Sequence, residues 1–127
     1  MKMETPLKVL VVDDEPDIVE ILSYNLKKEN YIVFTANSGV EAIASTEKNH
    51  PDLIIMDIRM PGISGIEACR IIKHDDLIKD IPILFLTADS DEYTTMNAID
   101  AGGDHFITKP IRPAILLGMI KELIQKA

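Results

Sequence analysis

Tryptophan is absent and aromatic residues make up only 5% of the chain, so a core must be built from Ile, Leu, Val, Met and Ala. One cysteine, Cys69, excludes an intramolecular disulfide. It falls in a helical pattern, where a buried free thiol is the ordinary reading. No apolar run approaches the ~20 residues of a membrane span. The run Val9 to Val12 meets an acidic stretch at once, which is not a signal-peptide pattern, and the cytoplasm is the expected compartment. Positive charge is scarce: 13 Lys and Arg face 21 Asp and Glu, a formal net charge of −8. A nucleic-acid binder needs the opposite balance on one face, and anionic membranes would repel this chain. Neither G-x-G-x-x-G nor G-x-x-x-x-G-K-[ST] occurs, so no glycine-rich phosphate loop is present.

What remains is an ordinary globular composition, 46% hydrophobic and 27% charged over 127 residues. That length predicts one domain, residues 1–127, with one sizeable core. Short β-branched runs alternate with longer amphipathic segments. Leu7–Val12, Tyr31–Ala36, Leu53–Met56, Ile81–Leu86 and His105–Thr108 read as strands, with Pro82 tolerated near a strand start. Pro16 suits a first helical turn, and Ile18, Ile21, Leu22 and Leu26 give that helix an apolar face. Ser38 and Glu41 have capping-box spacing and open a second helix carrying Val40, Ile43 and Ala44. Ile66, Cys69 and Ile72 mark a third. Residues 91–101 read as a fourth, stopped by Gly102-Gly103. A fifth starts near Pro113 and carries Ile115, Leu116, Met119, Ile120 and Leu123. Five strands alternating with five helices predict an α/β fold. It is a single five-stranded parallel sheet, doubly wound and flavodoxin-like, in strand order 2-1-3-4-5.

The strand ends carry the polar information. Ligands of an open parallel sheet bind at the carboxyl ends of its strands. Strand one ends in Asp13-Asp14, strand three in Asp57, strand four in Thr87 and strand five in Thr108-Lys109. Strands one and three are neighbours at the switch point of this order, which would gather the three carboxylates. Such a cluster needs shared protons, raised pKa values or a cation. All-oxygen donors suit a hard cation such as Mg²⁺, and Lys109 and Thr87 could meet phosphate oxygens. Each residue also has an ordinary alternative: Asp13 and Asp14 as helix caps, Asp57 as a turn residue, Thr87 as a plain strand end, Lys109 as a solvated lysine. Their joint placement on one edge favours a site.

At this point the chain resembles a response-regulator receiver domain. The resemblance rests on Val11-Val12-Asp13-Asp14-Glu15-Pro16, Asp57-Ile58-Arg59-Met60-Pro61-Gly62, Leu86-Thr87-Ala88, Ala101-Gly102-Gly103-Asp104 and Lys109-Pro110, in the family's order and spacing. It covers roughly Lys8 to Ile124. It implies a phosphorylation-activated switch of a two-component or phosphorelay system, with Asp57 as the phosphoacceptor. Asp13, Asp14, Asp57 and the backbone carbonyl of Arg59 would hold Mg²⁺ (or Mn²⁺). Thr87 and Lys109 would contact the phosphoryl group, and Thr87 and Phe106 would form the switch. The implied donor is a sensor histidine kinase or a histidine phosphotransfer protein. The implied output face is the fourth helix, fifth strand and fifth helix, including Tyr93, Met96 and Ile111, with neither nucleic acid nor membrane bound by this domain. A receiver catalyses its own phosphorylation and dephosphorylation and is a regulator, not a turnover enzyme.

The resemblance also implies a cis Lys109–Pro110 bond and puts Arg59 and Asp89 on either side of the pocket mouth, where their opposite charges could pair or stay solvated. Three positions depart from the family's habit. Phe106 stands where tyrosine is common and lacks its hydroxyl. Gly103 stands where alanine is common and could loosen the entry to strand five. Pro113 follows Pro110 closely and could shift the start of the last helix. An aspartyl-nucleophile phosphatase of the haloacid-dehalogenase kind would want a second Asp where Arg59 stands. A nucleotide or flavin module would meet an acidic first turn that repels phosphate.

Overall fold

The computed structural model describes residues 6–88 and 92–125, and the side chains of all of these but Glu92, Tyr93 and Gln125. In chain order the elements are β1 (Lys8–Val12), α1 (Pro16–Lys28), β2 (Ile32–Ala36), α2 (Gly39–Asn49), β3 (Leu53–Asp57), α3 (Gly65–Lys73), β4 (Ile83–Thr87), α4 (Glu92–Asp100), β5 (His105–Thr108) and α5 (Pro113–Gln125). The strands form one parallel sheet in the order β2-β1-β3-β4-β5, as the alternation predicts.

β3 and β4 are buried along their whole length, and β1 from Val9 onward. Both of their faces are covered, which is why they read as unbroken apolar runs rather than alternating ones. The period of two sorts their side chains into two cores. Leu10, Val12, Ile54, Met56, Ile83 and Phe85 meet Ala42 of α2, Ala68, Cys69 and Ile72 of α3, and Ala98 of α4. Val9, Val11, Leu53, Ile55, Leu84 and Leu86 meet Leu22 and Leu26 of α1 and Leu116 and Ile120 of α5. The edge strands β2 and β5 keep exposed positions.

Some expectations shift. β4 begins at Ile83, two residues later than the apolar pattern suggests, and runs on to Thr87. Pro82 has no N–H for the ladder, and the Ile81 N–H turns back to the Ile78 carbonyl at 3.2 Å. The first strand pair starts at Ile83, whose N–H donates to Asp104 Oδ2 at 2.8 Å. Val40, expected on the apolar face of α2, is 66% exposed. The buried face of α2 is instead Gly39, Ala42 and Thr46, spaced 3 and 4 apart. Ile21 and Ile115 are likewise half exposed, while their neighbours Leu22 and Leu116 fill the core. The Ser38 cap forms as the spacing predicts, accepting the Glu41 N–H at 3.2 Å. Pro113 does not displace the last helix, which starts on it.

Gly118 lies mid-helix in α5, and a Cβ there would meet no atom within 4 Å. Glycine in such a place costs helix stability through backbone entropy. Gly118→Ala should therefore raise unfolding stability by about 0.5–1 kcal/mol, read from urea denaturation midpoints; a lowered midpoint would show a packing need that the structure does not contain.

Candidate functional site

β1 delivers Asp13 to the sheet edge: its N–H still bonds the Ala36 carbonyl at 3.2 Å, continuing the ladder. Its carboxylate is fully buried. Asp13 Oδ1 accepts the Glu15 N–H at 3.0 Å, a local two-residue turn. The N-cap of α1 is Glu15, with no side-chain cap bond. The two aspartates are thus not used as helix caps.

β3 ends on Asp57, which is 6% exposed and lies in register with Leu86 of β4. Thr87, 4% exposed, closes β4 one residue further on. From the far side, the Lys109 N–H bonds the Thr87 carbonyl at 2.8 Å. The Lys109–Pro110 bond is cis. The Lys109 ammonium stands 3.1 Å from Asp13 Oδ2 and 3.6 Å from Asp57 Oδ1. Asp13, Asp14 and Asp57 each offer a carboxylate oxygen, and these oxygens lie within 4.8 Å of one another. Asp14 is the exposed member. A cleft of about 330 Å³, lined in part by Asp13, Asp14, Glu20, Asn37 and Glu41, opens beside them.

Three carboxylates against one ammonium leave an excess of negative charge. Burial, first, and then the neighbouring Asp13 and Asp14 push the Asp57 carboxyl up to about 6, while Lys109 and a backbone hydrogen bond from Ile58 resist the rise. Burial opposes the charged form of Lys109, but the close Asp13 carboxylate and the charges of Asp57 and Glu15 outweigh it, so its pKa lies above the usual lysine value. Asp13 Oδ2 is buried and accepts no well-aligned hydrogen bond, its contact with Lys109 being ionic. An acceptor left in that state in low dielectric is costly. The oxygen-only donor set and this spare buried acceptor fit a hard divalent cation.

Of the expected site residues, Asp13, Asp14, Asp57 and Lys109 come together directly, and Thr87 ends the strand beside Asp57. Arg59 is exposed in the segment after β3. Its expected partner Asp89 lies outside the described residues, as does the side chain of Tyr93. Phe106 is half-buried and stacks on Phe85, with ring centroids 6.1 Å apart and planes at 21°. Gly103 does not loosen the entry to β5. A Cβ there would lie 2.5 Å from Phe85 Cε2 and 2.9 Å from the Ala98 carbonyl, so the ring fills the space. Gly65 backs onto the Asp57 backbone and Gly39 onto Ile63 in the segment that follows, and composition gave no reason to select them. The repeated Ser-Gly-x-Glu pattern at 38–41 and 64–67 is the signal that marks both.

The family model for the response regulator receiver domain matches residues 9–121. The chain is 38% identical over 120 residues to the alkaline phosphatase synthesis transcriptional regulatory protein PhoP of Bacillus subtilis, covering 94% of this chain and 49% of that one. It is 39% identical over 127 residues to the transcriptional regulatory protein ResD of the same organism, covering 100% of this chain and 52% of that one. The chain therefore spans about half the length of these curated relatives. Among solved structures it is similar to the chemotaxis response regulator CheY4 of Vibrio cholerae, at TM-score 0.89 and 33% identity, covering 94% of this chain and 99% of that one. It is also similar to a response regulator from Chloroflexus aurantiacus, at TM-score 0.90 and 35% identity, covering 95% and 99%.

The raised Asp57 pKa has a stability consequence. The folded state holds the Asp57 proton more tightly than the unfolded chain does, so protonation favours folding. Without metal, the Asp57 penalty is absent below its unfolded value of 3.8, builds as pH rises, and is complete above about 6. Asp57→Asn should remove this slope, making the variant more stable than the parent at neutral pH and equal to it near pH 3.5. Urea melts of both proteins across that range in a chelating buffer check it; parallel curves would contradict the burial effect.

Proposed function

Because the chain belongs to the response-regulator receiver family, it is a phosphorylation-activated switch of two-component signalling, and we propose that Asp57 is the residue that takes the phosphoryl group. The observation that carries this reading is the placement of one nearly buried carboxylate within reach of both an acidic pair and an ammonium. A carboxylate with its pKa pushed to about 6 is still largely ionised at neutral pH and is more basic than an exposed aspartate, a useful combination in a nucleophile. Its oxygen attacks the phosphorus of a phosphohistidine; the P–N bond breaks as the P–O bond forms, and imidazole leaves.

Asp13, Asp14, Asp57 and the Arg59 backbone carbonyl would hold Mg²⁺ (or Mn²⁺). The ion, when bound, offsets the charge of carboxylates and phosphoryl oxygens together. Lys109 then turns from Asp13 to a phosphoryl oxygen, and the Thr87 hydroxyl donates to another. These groups make the domain the catalyst of its own phosphorylation and dephosphorylation, a regulator rather than a turnover enzyme. Movement of Thr87, with Phe106 behind it on the same sheet face, biases the α4–β5–α5 surface between two states.

The donor in this reading is a sensor histidine kinase or a histidine phosphotransfer protein. The downstream effector docks on α4–β5–α5, where Met96 and Ile99 are exposed. The net charge of −8 argues against nucleic acid or a membrane as a partner of this domain. No helix among the described residues is long and apolar enough to cross a membrane, which accords with a cytoplasmic role. Residues 1–127 act as one receiver domain.

Incubation with acetyl phosphate and Mg²⁺ should raise the intact mass by one phosphoryl group, and Asp57→Asn should abolish the rise; equal labelling of the variant would remove Asp57 from the role. The metal assignment has its own test. Asp14→Ala should weaken Mg²⁺ binding by about tenfold or more without loss of metal-free stability, because Asp14 is the exposed carboxylate. Calorimetric titration beside thermal melts reads both quantities, and an unaltered affinity would sink the assignment.

A further inference from the structure

We propose that Gly39 and Gly65 are positioning residues that clamp the 58–64 segment between two helix starts, holding the Arg59 carbonyl at the acidic edge. The inference rests on the metal reading above and assigns to this chain which residues set the geometry of that site.

The two glycines occupy matching places. Ser38-Gly39-Val40-Glu41 and Ser64-Gly65-Ile66-Glu67 each put a serine at the N-cap and a glycine first in the helix. Each serine hydroxyl accepts the N–H of the glutamate three residues on, at 3.2 Å and 3.1 Å. Both helix starts are therefore rigidly capped, and each glycine is held where its backbone touches the segment.

Gly65 acts at the beginning of the segment. Its N–H donates to the Ile58 carbonyl at 2.8 Å, closing the loop on itself. A Cβ at this position would collide with the Asp57 carbonyl oxygen and lie 3.1 Å from both the Asp57 carbonyl carbon and Ile58 Cα. These are backbone atoms, so any side chain at 65 must displace the end of β3, Asp57 included. Gly39 acts at the other end. A Cβ there would lie 2.5 Å from Ile63 Cγ1, 3.0 Å from Cδ1 and 3.1 Å from the Ile63 carbonyl oxygen. Ile58 and Met60 are buried against the core, which leaves Arg59 as the exposed residue between fixed neighbours. A backbone carbonyl has no rotamer with which to correct its aim. Its position is inherited from the chain, and a ligand must be held within about 0.5 Å of its productive place.

Mg²⁺ affinity and the amide shifts of residues 57–65 test the clamp in Gly39→Ala, Gly65→Ala, Gly39→Ala with Ile63→Ala, and Gly118→Ala as a control far from the segment. All are measured where melts show each protein fully folded. Both single variants near the segment should bind Mg²⁺ about tenfold more weakly and shift the 57–65 amides, while Gly118→Ala stays at the parental value. Truncating Ile63 should restore most of the affinity lost in Gly39→Ala, since the two nearest obstructing atoms belong to its side chain. Parental affinity and shifts in folded Gly39→Ala and Gly65→Ala would overturn the proposal. So would a loss in Gly39→Ala that the Ile63 truncation leaves untouched. If Gly65→Ala does not fold, the Gly39–Ile63 pair decides alone. Asp14→Asn is run beside them. If it too keeps parental Mg²⁺ affinity, the metal reading fails, and the clamp is judged on whether the 57–65 amides move.

Discussion

The structure turns on an imbalance of charge at the end of two buried strands, β1 and β3. Asp13, Asp14 and Asp57 converge there, and the Lys109 ammonium stands against Asp13 and Asp57. In water such a group would be of little consequence; beside a sheet covered on both faces it is not, because Coulomb energies grow as the effective dielectric falls. Burial raises the Asp57 pKa and would lower that of Lys109, yet Lys109 ends above its usual value because the carboxylates around it are stronger than the desolvation. The site is therefore poised for added positive charge, and its ligand preference follows from that deficit.

Holding this arrangement against self-repulsion falls to the sheet. Asp13 follows directly on β1 and Asp57 is the last residue of β3, strands buried from Val9 and from Leu53 onward, so their backbones cannot retreat without breaking ladder bonds and exposing core. Asp13 keeps its ladder N–H to Ala36 even after the strand has formally ended. Each buried aliphatic side chain contributes roughly 1.5–3 kcal/mol, and more than a dozen such residues line the three central strands and their helices. A cost of a few kcal/mol at one edge can be carried by a core of that size, whereas a smaller domain would have little margin.

Much of this was legible in the sequence, and the limits have physical causes. The strands could be found because two-sided burial writes continuous β-branched runs. The polar edge could be found because carboxylates, Thr87 and Lys109 interrupt those runs at their ends. Periodicity failed for Val40: an inner face made of Gly39, Ala42 and Thr46 carries too little hydrophobicity to outvote one exposed valine. It failed at the start of β4 because Ile81 packs against the core while its N–H bonds the Ile78 carbonyl in a turn rather than a neighbouring strand. The close approaches at Gly39, Gly65 and Gly103 were invisible because each depends on what the fold brings opposite the missing Cβ. Only the repeated Ser-Gly-x-Glu pattern hinted at two of them.

Those glycines belong to a wider asymmetry between the two faces of the sheet. α1 and α5 meet it with Leu22, Leu26, Leu116 and Ile120, so large side chains separate helix from strand. α2, α3 and α4 meet it with Ala42, Ala68, Cys69 and Ala98 as well as Ile72, while the strands supply the bulk through Leu10, Ile54, Met56 and Phe85. Thr87 and Phe106 both point to that face, since Phe85 lies two residues before Thr87 and pairs in register with Phe106. Phe106, without a hydroxyl to satisfy, can rest half-buried on the Phe85 ring, and that ring is seated by the absence of a Cβ at Gly103. The Phe85–Phe106 pair, Gly103 and Ala98 thus form one run of contacts from β4 and β5 to α4, on the sheet face that Thr87 shares.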